Sequence, residues 1–223
     1  SVDQLQTLRA SGQPLMVFDC SFELMQPDAG DAQYLAGHIP GALRADLDRH
    51  LSTKGAPDAA SGGRHPLPSR PALAAWLGSV GLTPEHQVVV YDRQGVNYCG
   101  RLWWMLKWLG HDAVAVLDGG LSAWTAAGGA MEAGTGPAQP STTYVPGLEK
   151  AVLVDAEAVA KQLGKPAQTL IDARGAPRFR GDIEPLDPVA GHIPGALNRP
   201  FTLNFDAQGL FKPAAELRAE FMA

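Results

Sequence analysis

Cys20 and Cys99 are the only thiols in the chain, and a thiolate is a side chain able to form a covalent intermediate. Neither sits in a phosphatase-type Cys-x5-Arg spacing: the sixth position after Cys20 is Gln26, and the sixth after Cys99 is Met105. Two cysteines also fall short of a disulfide framework or a four-ligand zinc site, and no metal or cofactor is expected. Cys99 opens an apolar run, where a buried inert thiol is the ordinary outcome, and Cys20 follows an apolar pentapeptide as a strand-end residue. The remaining pattern is a repeat. Gly-His-Ile-Pro-Gly-Ala occurs at 37–42 and again at 191–196, an offset between His38 and His192 of 192 − 38 = 154. Asp19 stands before the first histidine at nearly the same distance as Asp172 before the second (38 − 19 = 19 against 192 − 172 = 20). Matched order and spacing mean a duplicated domain. The two histidines read as turn residues bonding backbone, and the two aspartates as caps for backbone N–H groups.

Composition bounds what such a duplicated chain can do. Apolar residues make up 45% and charged residues 18%, enough for real cores. A net charge of −5 with no Lys/Arg run argues against a nucleic-acid surface. The longest mainly apolar stretch, 102–109, contains Lys107 and is too short to span a bilayer. Residue 1 opens without a signal-peptide apolar region. The expectation is a soluble, cytoplasmic protein with neither nucleic acid nor membrane as a partner.

The elements that must position these residues alternate. Residues 15–19, 87–91 and 113–117 read as strands, and 31–36, 71–80, 100–109 and 121–127 as helices, the third of these apolar nearly all round. Strand–helix alternation predicts an α/β fold with a mainly parallel sheet. Gly134, Gly136, Pro137, Pro140, Pro146 and Gly147 interrupt any period across 131–150, which reads as a linker between a first domain at 1–130 and a second at 151–223. The second domain begins with a helix at 156–163 and a strand at 169–172, and its helix at 213–221 matches the one at 71–80.

These segments resemble the tandem rhodanese family of sulfurtransferases, which includes thiosulfate and 3-mercaptopyruvate sulfurtransferases. The carrying residues are Val-Phe-Asp at 17–19, Ile-Asp-Ala-Arg at 171–174, both Gly-His-Ile-Pro-Gly-Ala segments, Val-Val-Val-Tyr-Asp at 88–92, Arg-Leu-Trp-Trp-Met at 101–105 and Leu-Asp-Gly-Gly-Leu-Ser-Ala-Trp at 117–124. The resemblance implies two rhodanese-like domains, each a mainly parallel sheet flanked by helices. It also implies an active loop at the carboxyl end of the strand at 88–91, where backbone N–H groups and a helix N-terminus stabilise a cysteine thiolate. That thiolate would take a sulfane sulfur from a small anionic donor, thiosulfate or mercaptopyruvate, and pass it to cyanide or a thiol.

In this chain the nucleophile position of the first domain holds Asp92, whose carboxylate cannot carry a persulfide, so the first domain is expected to be a non-catalytic scaffold. The offset from His38 to Asp92 is 92 − 38 = 54. The same offset from His192 puts the counterpart of Asp92 near position 246, with the second domain truncated at its C-terminus. The chain ending at Ala223 should then be inactive by itself, with no catalytic residue of its own. The resemblance implies substrate-binding roles for Arg178, matching an arginine aimed at the donor, and for Asp48 and His65. Where mercaptopyruvate-specific members carry Glu-Pro-Arg, this chain reads Glu184-Pro185-Leu186-Asp187, and the loss of that arginine leans towards thiosulfate. Two alternatives stand beside this reading: a non-catalytic rhodanese-like binding or regulatory module, and an enzyme that uses Cys20 or Cys99. Trp103, Trp104 and Trp108 read as core or interface residues.

Overall fold

The computed structural model describes residues 1–136, 138–166 and 168–222. The chain divides into two compact units, Ser1–Leu153 and Val154–Ala223.

In the first unit the order is α1 (Val2–Ala10), β1 (Leu15–Asp19), α2 (Ala29–Ala36), β2 (Leu43–Arg44), α3 (Arg70–Ser79), β3 (Gln87–Tyr91), α4 (Cys99–Trp108), β4 (Val114–Val116) and α5 (Gly120–Ala126). The four strands form one parallel sheet in the order β2-β1-β3-β4. Strands buried on both faces carry continuous apolar runs rather than an alternation, as Met16-Val17-Phe18 and Val88-Val89-Val90 do. The pleat then sorts neighbours to opposite faces. Phe18, Val88 and Val90 join a core with Leu73 and Leu77 of α3 and Leu102 and Leu106 of α4. Val17, Val89 and Tyr91 join a second core with Val2 and Leu5 of α1 and Leu121 and Trp124 of α5. The fold is thus α/β, a parallel sheet flanked by helices.

Helix α4 has one buried stripe, Cys99, Leu102, Met105, Leu106 and Trp108, at helical spacing. Trp103 stands on its exposed side with Lys107 over its ring, so the tryptophans do not all belong to the core. Helix α1 is not among the elements expected from the sequence, because only Val2 and Leu5 on it are buried and its apolar pattern is weak.

The segment 131–150, expected to be a linker, belongs to the first unit. The backbone N–H groups of Thr142, Gly147 and Lys150 donate to the carbonyls of Gly78, Leu109 and Lys107 at 2.8, 2.8 and 2.9 Å. Tyr144 is buried with its hydroxyl 3.2 Å from His111 Nδ1, and Arg70 pairs with Glu149. Glycines allow this strap to lie close. A Cβ on Gly78 would stand 2.6 Å from the Thr142 carbonyl oxygen. Gly110, at φ +87°, would meet the Leu148 carbonyl at 2.5 Å.

The second unit holds α6 (Ala156–Gln162), β5 (Ile171–Asp172), α7 (Ala176–Arg180), β6 (Leu197–Asn198), a 3-10 turn at Phe201–Asn204, and α8 (Ala214–Met222). Strands β5 and β6 pair in parallel, Ile171 with Leu197 and Asp172 with Asn198. This repeats the pairing of Phe18 with Leu43 and Asp19 with Arg44. The burial is not repeated. Phe18 and Ile39 are fully buried, whereas their counterparts Ile171 and Ile193 are each 50% exposed.

Candidate functional site

The loop between β3 and α4 is built around the Asp92 side chain. Its Oδ1 accepts the backbone N–H groups of Gln94 and Val96 at 3.0 and 2.8 Å, and its Oδ2 those of Tyr98 and Cys99 at 2.7 and 2.9 Å. The carboxylate is fully buried, so four amides converge on one anion away from water. Gly95 and Val96 both take left-handed backbone, φ +67° and +66°, which turns successive N–H groups inward. For the β-branched Val96 that conformation is strained. The first turn of α5 also leans on this loop: Leu121 N–H donates to the Asp92 carbonyl at 3.0 Å, and a Cβ on Gly120 would meet that oxygen at 2.5 Å. Gly120, the second glycine of Leu-Asp-Gly-Gly, therefore admits close approach to the loop.

Around the cradle, Arg93 donates to the carbonyls of Gln33 and Gly37, and Gln94 Nε2 to Glu23 Oε1 at 3.0 Å. Asp19, also fully buried, accepts the Ser21 N–H at 2.8 Å, and Asp172 accepts the Arg174 N–H at 2.9 Å in the same way. His38 stacks on Tyr34 with its Nδ1 2.8 Å from the Tyr34 carbonyl; His192 stacks on Phe179 with its Nδ1 2.6 Å from the Phe179 carbonyl. Both histidines are thus bonded to backbone, at counterpart places in the two units.

Neither thiol is prepared for chemistry. Burial pushes the Cys20 thiol well above its ordinary pKa, reinforced by Asp19 and Asp92. Burial does the same to Cys99, with Asp92 next in effect. A thiol so raised is protonated near neutrality and is a poor nucleophile.

The first-unit candidates meet each other. His65 Nε2 lies 3.2 Å from Asp48 Oδ1, and Lys54 Nζ lies 2.8 Å from the same oxygen. Burial lowers the His65 pKa, with Asp48 opposing. The backbone here is held by Arg101, whose guanidinium donates to the carbonyls of Leu51 and His65 at 2.8 Å each and whose pKa burial lowers to about 10. Arg178, in the second unit, is committed to partners of its own. Its Nε and Nη2 make a two-pronged contact with Glu184 at 3.1 and 2.7 Å, and Nη2 also reaches Asp187 at 3.0 Å. The sequence reading misses that the Glu184-Pro185-Leu186-Asp187 stretch folds back on Arg178; two acidic residues shortly after an arginine are its only signal. Among the described residues no group of three or more His, Cys, Asp or Glu side chains could hold a metal ion. Among them, too, no helix is long and apolar enough to cross a membrane.

The Rhodanese-like domain model matches residues 1–127, more than half of the chain. The chain belongs to the rhodanese sulfurtransferase family. It is 45% identical over 219 residues to the "Probable 3-mercaptopyruvate sulfurtransferase" of Pseudomonas aeruginosa, covering 96% of this chain and 75% of that protein. It is 32% identical over 244 residues to the "Thiosulfate/3-mercaptopyruvate sulfurtransferase 2" of Arabidopsis thaliana, covering 99% of this chain and 69% of the relative. Among solved structures, the 3-mercaptopyruvate sulfurtransferase from Leishmania major superposes with a TM-score of 0.78 at 32% identity. That match covers 99% of this chain and 60% of the other. The loop that follows β3 lies at the carboxyl end of the sheet, and its centre holds the Asp92 carboxylate.

Proposed function

We propose that the protein moves a sulfane sulfur from thiosulfate or 3-mercaptopyruvate to cyanide or a thiol, through a persulfide on a cysteine at the second unit's counterpart of Asp92. The observation that carries this reading is the convergence of four backbone N–H groups on the Asp92 carboxylate. A loop that holds a carboxylate this way would, with cysteine at its head, hold a thiolate and stabilise its charge. The thiolate attacks the outer sulfur of thiosulfate; the new S–S bond forms as the donor's S–S bond breaks, and sulfite leaves. With mercaptopyruvate the C–S bond breaks and the carbon takes up a proton to give pyruvate. Cyanide then attacks the terminal sulfur, thiocyanate departs, and the thiolate is restored. Arg178 is the donor-binding residue of the second unit, and Asp48 with His65 the donor-binding pair of the first.

The repeat offset puts that cysteine past Ala223, so the chain 1–223 by itself is inactive in this reading. The test is a thiocyanate assay with each donor on this chain and on its Cys20→Ser and Cys99→Ser variants. No turnover is expected. Turnover that disappears with either substitution would assign the chemistry to a buried thiol and overturn the reading.

A further inference from the structure

Arg178 is surrounded by more negative charge than it neutralises. Arg174 pairs with Asp172 at 2.5 Å and lies 3.5 Å from Glu184, so the cluster of Asp172, Arg174, Arg178, Glu184 and Asp187 sums to 2 − 3 = −1. The two carboxylates on Arg178 differ in kind. Glu184 is 5% exposed, and its Oε1 also accepts the N–H groups of Leu186 and Asp187 at 3.0 and 3.1 Å. Burial alone would raise its pKa, yet Arg178 and these amides hold it below the ordinary carboxylate value. Glu184 is therefore a fixture that sets the plane of the guanidinium. Asp187 is 46% exposed and lies 3.0 Å from Nη2.

We propose that Asp187 is a specificity-determining residue for the sulfur donor. Its carboxylate competes at Arg178 Nη2 with the incoming anion, and so favours a singly charged carboxylate donor of the mercaptopyruvate kind over doubly charged thiosulfate. This rests on the reading of Arg178 as the donor-binding residue. It runs opposite to the lean towards thiosulfate that Leu186 suggests, because the charge facing the guanidinium comes from the next residue. A unit charge about 6 Å from a bound anion weakens binding about threefold per ligand charge in a water-like dielectric, less at high salt. Asp187 then costs a monoanion about threefold and a dianion about tenfold in affinity.

The test uses inert probes, so it needs no turnover: sulfate for the dianion and pyruvate for the monoanion. Each is titrated at constant ionic strength while the 15N signal of Arg178 Nε is followed, in the unaltered chain, Asp187→Asn and Asp187→Glu. Asp187→Asn is expected to tighten sulfate about tenfold and pyruvate about threefold, with Asp187→Glu unchanged in its preference. Equal tightening of both anions, no tightening, or an Asp187→Glu variant that behaves like Asp187→Asn would overturn the proposal while leaving Arg178 as an anion site. If the Arg178 signal moves with neither anion in any of the three proteins, the donor-binding reading falls and the proposal falls with it.

Discussion

The Asp92 carboxylate accepts the backbone N–H of Cys99 at 2.9 Å, tying the head of the β3–α4 loop to the first turn of α4. One side chain thereby satisfies four donors, one buried and three partly buried, that the loop's own geometry leaves without backbone partners. Asp92→Ala removes that acceptor and leaves the amides without their partner in a partly buried loop. Each unmet buried donor costs about 1–3 kcal/mol, partly relieved by relaxation, so a total loss of roughly 3–5 kcal/mol is expected. Asp92→Asn keeps one acceptor oxygen and should fall between. Guanidinium denaturation of the three proteins measures this. A loss below about 1 kcal/mol for Asp92→Ala would mean that the loop is held by something other than this carboxylate.

The same burial that hides Asp92 silences the thiols. With both pKa values pushed up by desolvation, Cys20 and Cys99 should react with a disulfide reagent such as DTNB only when the fold opens. In native buffer at pH 8 the expected labelling is far slower than for a free thiol, and both thiols should label at once in denaturant. Fast labelling of one native thiol would revive the reading of Cys20 or Cys99 as a nucleophile.

Three histidines drawn partly or fully out of water make the first unit sensitive to mild acid. Desolvation lowers the pKa of His50, His65 and His111, so in each case the folded state binds the proton less readily than the unfolded chain. Their contribution is complete above the unfolded value, about 6.5, and declines as pH falls from there towards the folded values. His111 faces the His86 carbonyl at 3.0 Å and the Tyr144 hydroxyl at 3.2 Å. Denaturation midpoints compared at pH 7.5 and 5.5 should show the loss, and His111→Gln should shrink it. An unchanged pH dependence in that variant would remove His111 as a cause.

How much of this is legible in the sequence depends on how local the cause is. β1, β3 and β4 are readable because runs such as Val88-Val89-Val90 signal doubly buried strands by composition alone. The two-residue strands β2 and β6 carry no period, and the short α7 has Pro177 in its first turn. The strand that leads to Asp92 is readable from its apolar run, but the role of Asp92 as acceptor for four amides follows from the φ values of Gly95 and Val96, which no composition shows. Asp48 and His65 are well separated in sequence and in contact in space; Arg178 and Asp187 meet only because 182–187 folds back. The strap at 131–150 misleads for the opposite reason. Its prolines and glycines break every period, yet its backbone is anchored by hydrogen bonds to the distant carbonyls of α3 and of the end of α4.

That anchoring gives the last prediction. Thr142 N–H donates to the Gly78 carbonyl, and a methyl group at Gly78 would meet the Thr142 carbonyl oxygen at 2.6 Å. Backbone on both sides leaves no flexible side chain to yield. Gly78 also sits in α3 at ordinary helical backbone, where alanine by itself would favour the helix by about 1 kcal/mol. The two effects oppose each other, and they act on different readouts. Gly78→Ala should leave α3 intact while lifting the strap, uncovering the buried Tyr144 and exposing 131–150 to protease. Limited proteolysis is expected to cut the variant within that segment faster than the unaltered chain, with circular dichroism unchanged. Equal cutting of both proteins would mean that the segment is a free connector in solution, as its composition suggests, and that the first unit ends near residue 130.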